Sequence, residues 1–168
     1  MSWSGHFHGY GPWIGTAESY HKEGNRRPPH PGHPAPPTSP DDKQAERVLA
    51  RYREVAAEFP TSELPPLMTG HWLLKRNRVS AGRTWTEPAA ALEWMTKHYL
   101  ENLPFEREDG KQAYVGLDTK RAYAIDVLPV GVDVSWVYYM RSGHIVSLSV
   151  VCCPNRHHPE LVCPLPPA

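Results

Sequence analysis

Three cysteines and two adjacent histidines crowd residues 152–163 of this chain: Cys152-Cys153-Pro154-Asn155-Arg156-His157-His158-Pro159-Glu160-Leu161-Val162-Cys163. Thiolate and imidazole are the ligands that zinc takes in tetrahedral structural sites. Cys153, His157, His158 and Cys163 are separated by only a few residues, close enough to wrap one ion, and the prolines at 154, 159 and 164 would stiffen the wrap. There is no second Cys-x-x-Cys, so a full ligand set must draw on His144, His71, an N-terminal arm or water. Zinc is the alternative these residues offer. The preferred reading has no cofactor. In it Cys152 is a core residue, Cys153 and Cys163 are small loop residues, and the histidines face solvent.

The same region carries weaker hints of catalysis. Arg156, His157 and His158 would favour a Cys153 thiolate nucleophile, but no strand-to-helix elbow or oxyanion loop stands beside it. His158-Pro159-Glu160 has the His-x-Glu form of the zinc deaminases, without the Pro-Cys-x-x-Cys element that should follow. Asp118, Asp126, Asp133, His98 and His144 offer acid–base groups, in a spacing that does not demand catalysis. A second cluster, Lys75, Arg76, Arg78 and Arg83 between Trp72 and Trp85, has the makings of a nucleic-acid site, where cations hold phosphates and an aromatic ring stacks on a base. The balance of 18 basic and 18 acidic residues argues against it, because no overall field draws the chain to nucleic acid or an anionic membrane.

The elements that must position these groups are read from hydrophobic period. Residues 1–40 hold nearly half the prolines and half the glycines and histidines, with no apolar period. That composition predicts a disordered tail, polyproline II over 26–37. Trp3, Phe7, Tyr10, Trp13, Ile14 and Tyr20 are too many large apolar groups for a spacer, so residues 3–20 are expected to dock as an arm on the domain or on a partner. Ser39-Pro40-Asp41-Asp42 opens a helix that ends at Pro60, with an apolar stripe of Ala45, Val48, Leu49, Tyr52, Val55, Ala56 and Phe59. His71-Trp72-Leu73-Leu74 reads as a brief strand. Thr86-Glu87-Pro88 opens a second helix, burying Ala91, Leu92, Met95 and Tyr99.

Residues 112–128 are ambiguous. Tyr123, Ile125 and Val127 alternate as in a strand, whereas Asp118-Thr119 can cap a short helix to Leu128; strands at 112–117 and 121–127 are the preferred reading. Residues 132–152 read as a hairpin around Arg141-Ser142-Gly143. In that register Val134 faces Val150, Trp136 faces Leu148 and Tyr138 faces Val146, all on one apolar face. Cys152 then points into the core and Cys153 away from it.

The expectation is an α+β protein. A tail over 1–40 precedes one domain over 41–168, in which two amphipathic helices pack on one face of a small antiparallel sheet of two to four strands. A domain of that length can bury roughly two-thirds of its surface without disulfides. The N-terminus has no basic then apolar signal pattern, and no stretch is long enough to span a membrane, so the reading is cytoplasmic with reduced thiols. The Arg-, Ala- and Pro-rich composition suggests a bacterial source. The leading function is a non-catalytic protein-binding or accessory module with a protein partner. A small enzyme with a Cys/His site and a nucleic-acid-binding regulator are the alternatives.

Overall fold

The computed structural model describes residues 3–29 and 38–168. The 132–152 segment forms the hairpin its alternation predicts. Strands β3 (Val134–Tyr139) and β4 (Ile145–Cys153) pair Val134 with Val150, Trp136 with Leu148 and Tyr138 with Val146. Met140 and His144 close a three-residue loop in which Gly143 takes φ 84°, a conformation that residues with a Cβ rarely adopt.

The sheet has four strands in the order β2-β1-β4-β3, and every neighbouring pair is antiparallel. Strand β1 (His6–Gly15) lies on the far edge of β4, and β2 (Thr84–Trp85) adds to its other side. The segment expected to be a tail with a docking arm therefore supplies an interior strand. Two features hide it from a periodicity argument. Both of its faces are covered, so Phe7 and Tyr10 are buried on one face each and the buried His8 stands where an apolar residue would signal a strand. The register also shifts between Tyr10 and Trp13, where Gly11 has φ 96° and a Cβ would sit 2.5 Å from the Ser147 carbonyl oxygen. A short helix α1 (Ala17–His21), capped by Thr16, follows. The polyproline segment expected over 26–37 lies outside the described residues from 30 to 37.

Helix α2 (Lys43–Glu58) begins three residues after the expected Ser39-Pro40 start, because Asp42 Oδ1 accepts the Ala45 N–H at 3.0 Å and caps it. No residue of α2 is buried and Val48 is 45% exposed, so α2 is not one of the helices that cover the sheet. Phe59, one residue past its end, is buried. The helices that cover the sheet are α3 (Pro88–Glu101) and α4 (Leu117–Val127). In α3, Ala91, Leu92, Met95 and Tyr99 are buried, as the spacing predicts. Tyr99 meets Trp136 edge-on, with ring centroids 5.8 Å apart.

Helix α4 replaces the strand preferred for 121–127. Its buried positions are Ala124 and, one residue beyond it, Leu128, while Tyr123 and Ile125 of the apparent alternation point outward, 56% and 57% exposed. Within the helix only the small Ala124 is fully buried, and Leu117 and Val127 at its two ends pack on the core half-buried, so its middle leaves little apolar signal.

The other face of the sheet is covered as well, which is why all nine residues of β4 are buried. Tyr10, Val151 and Cys153 pack there with Trp72 and Leu73, and Leu161 and Cys163 of the C-terminal loop lie against them. Trp72 and Leu73 belong to a 3-10 turn, Thr69–Leu74, and not to a strand. Tyr10 stacks on Trp72 with centroids 4.8 Å apart. Among the described residues no helix is long and apolar enough to cross a membrane.

Candidate metal centre

Residues i and i+2 of a strand share a face, so His6 and His8 of β1 point the same way. Register sets what each meets. His6 is the cross-strand partner of Cys153 on β4, and His8 is the partner of Thr84 on β2. Cys152, one residue earlier, pairs with Phe7 and turns to the helix-covered face. The hairpin parity thus puts Cys152 and Cys153 on opposite faces, but both thiols are buried.

The fourth group arrives from the C-terminal loop. Asn155, itself buried, organises that loop. Its Nδ2 donates to both Asp133 carboxylate oxygens at 2.8 and 3.0 Å, and its Oδ1 accepts the backbone N–H groups of His157 and His158 at 3.1 Å each. Asp133 also accepts the Cys152 N–H at 2.8 Å, so the loop is tied to the end of β4. The Leu161 N–H to His158 carbonyl bond makes a further turn, and the chain returns over the sheet at Cys163.

One donor atom each from His6, His8, Cys153 and Cys163 then lies within 4.8 Å of all the others. The Nε2 atoms of His6 and His8 are 3.1 Å apart, and Cys163 Sγ is 3.2 Å from His6 Nε2 and 3.6 Å from His8 Nε2. Ordinary zinc–nitrogen and zinc–sulfur lengths imply tetrahedron edges of about 3.3 Å for N···N and about 3.6 Å for N···S. The three separations among His6, His8 and Cys163 match those edges to within about 0.4 Å, and Cys153 Sγ lies within 4.8 Å of each of the three donors.

The hydrogen bonding around His8 prepares it for this role. Thr84 Oγ1 donates its one proton to the Ser80 carbonyl oxygen at 2.9 Å. Its 2.9 Å contact with His8 Nδ1 must then be donated by the imidazole. That places the proton on Nδ1 and leaves the Nε2 lone pair facing the cluster, the arrangement by which neighbouring groups orient histidine ligands. Burial, with His6 beside it, holds His8 down to about 4, and burial also lowers His6. Both rings are therefore in the neutral, ligating form near neutral pH. Burial pushes the Cys153 thiol up to about 12, aided by its hydrogen bond to Cys163 and by the charge a Cys163 thiolate would place beside it. A dication would reverse that preference and release the thiol protons.

His157 and His158 are not in the converging set. His158 packs its ring on His71, centroids 4.4 Å apart, with Nδ1 3.6 Å from Glu160. Two of the four ligand candidates read from the C-terminal cluster thus meet two histidines of the N-terminal strand. The His-x-His spacing was the available signal, since on a strand it directs two imidazoles to one face.

The basic cluster is largely consumed by the fold. Lys75 is buried, donating to the Phe59 and Ser62 carbonyl oxygens. Arg78 pairs with Glu63 and bonds the Thr61 carbonyl, and Arg83 bonds the carbonyls of Gly11 and Arg78; Arg76 is exposed. The acid–base candidates are dispersed: Asp118 and Asp126 are exposed on α4, His144 is exposed, and His98 pairs with Glu101. No family model matches the chain, and no curated protein and no solved structure matches it.

Proposed function

We propose that this chain is a non-catalytic zinc-binding module in which one ion, held by His6, His8, Cys153 and Cys163, fastens the N-terminal strand and the C-terminal loop to the centre of the sheet. The observation that carries the reading is the convergence of two imidazole and two thiol donors, brought from three separate segments, on one point. Four protein ligands complete a tetrahedron and leave no position for water or substrate, which is the signature of a structural and not a catalytic zinc. This ranks the small-enzyme alternative below the accessory-module reading. The nucleic-acid alternative is weakened by the use of Lys75, Arg78 and Arg83 as internal ties.

As an accessory module it would act through protein contacts, in a bacterial cytoplasm where thiols stay reduced. Tyr123 and Ile125 on the outer side of α4 are large apolar groups left uncovered and are where a protein partner would gain most. Metal analysis of purified protein tests the core of the proposal. One zinc per chain is expected, lost in the Cys153→Ser, Cys163→Ser double variant and retained in Cys152→Ala and in His157→Ala.

A further inference from the structure

We infer that the centre is also a thiol oxidation site: a peroxide joins Cys153 to Cys163 as a disulfide and expels the metal. This rests on the metal reading above and adds a regulation to it. The two sulfurs lie within 4.8 Å of each other on the same face of the sheet. A disulfide needs about 2.05 Å between them. Rotation of one side chain and a small shift of the loop cover that difference. The two partners are suited to it: Cys153 is fixed at the end of β4, whereas Cys163 is only partly buried and lies in a C-terminal segment without helix or strand. The third cysteine has no part, because Cys152 faces the opposite side of the sheet.

The chemistry balances with hydrogen peroxide as the oxidant. The more accessible Cys163 thiolate attacks one peroxide oxygen, the O–O bond breaks, and sulfenic acid and hydroxide form. The Cys153 thiolate then attacks the sulfenic sulfur, the S–O bond breaks, and the S–S bond forms as a second hydroxide leaves. Two protons from solvent convert the two hydroxides to water. Two thiolates have supplied two electrons, and zinc departs as the dication because His6 and His8 alone cannot hold it. The disulfide keeps the C-terminal loop on β4 while the N-terminal strand loses its fastening, so oxidation acts on one of the two fastened segments only.

The experiment treats zinc-loaded, full-length protein with hydrogen peroxide and follows three readouts: free zinc by a chromogenic chelator, remaining thiols, and the peptide map. One zinc is expected to be released per disulfide formed. Two of the three thiols should disappear, the map should link 153 to 163, and a thiol reductant with added zinc should restore the starting state. Cys152→Ala should release zinc to the same extent. Protein that binds no zinc overturns both the metal reading and the switch. Zinc that stays bound through the peroxide treatment, or leaves while the thiols go to sulfinic acid or a link to Cys152, overturns the switch alone and leaves the metal reading standing.

Discussion

Removing the metal should loosen two chain segments that are far apart in sequence, and by an amount the geometry sets. Ligands at His8 and Cys153 close a loop of well over 100 residues, for which a covalent cross-link is worth up to about 5 kcal/mol. A reversible ligand contributes less: about 2.7 kcal/mol when free zinc stands 100-fold above its dissociation constant. In a chain of 168 residues each kcal/mol moves the thermal midpoint by about 2–4 °C. Chelation should therefore lower the midpoint by roughly 5–11 °C, and restoring zinc should recover it. Differential scanning calorimetry at several fixed free-zinc levels gives the midpoint. Hydrogen exchange gives the location, with protection falling first around 3–8 and 154–163 while the β3–β4 hairpin, anchored by α3, keeps its own. A midpoint indifferent to zinc, or a zinc-dependent shift that persists in the His6→Ala, Cys163→Ser variant, would refute the convergence of these four residues on one ion.

Three further outcomes are expected. Trp136→Ala, at a ring 3% exposed, should cost about 3–5 kcal/mol in urea unfolding, and a cost below 1 kcal/mol would contradict its place in the core. Asn155→Ala leaves Asp133 with the Cys152 N–H but without its amide donor, and two loop N–H groups without a partner; it should cost about 1–3 kcal/mol and weaken zinc binding about 10–100-fold, measured by competition with a chelator. Burial, with Arg78 nearby, holds Lys75 down to about 8 against 10.5 when unfolded. Between those values the unfolded chain carries a proton that the folded chain has lost, so this group adds stability as pH rises from about 8 and adds no dependence below it. The buried thiols and tyrosines, raised on folding, act in the opposite sense, so the effect is read as the difference between the parent and Lys75→Met, and a difference flat from pH 8 to 10 would exclude it.

What the amino-acid order determined by itself is the β3–β4 hairpin and the buried stripe of α3, whose apolar residues keep an unbroken period. The hairpin register followed from Val134, Trp136 and Tyr138 against Val146, Leu148 and Val150, because a slip by one residue would turn that whole apolar set to the other face. The buried stripe of α3 followed from its 3.6-residue period for the same reason. β1 was hidden because it is covered on both faces, irregular at Gly11, and built partly from histidine; α4 was hidden because its one fully buried residue is the small Ala124 while Tyr123 and Ile125 beside it point out. Of the site, Cys153 and Cys163 could be suspected from their chemistry, and so could the need for ligands from elsewhere. That His6 and His8 are those ligands was decided only by tertiary structure. The pairing of β1 with β4 sets His6 opposite Cys153, and no local pattern records a contact between residues nearly the whole chain apart.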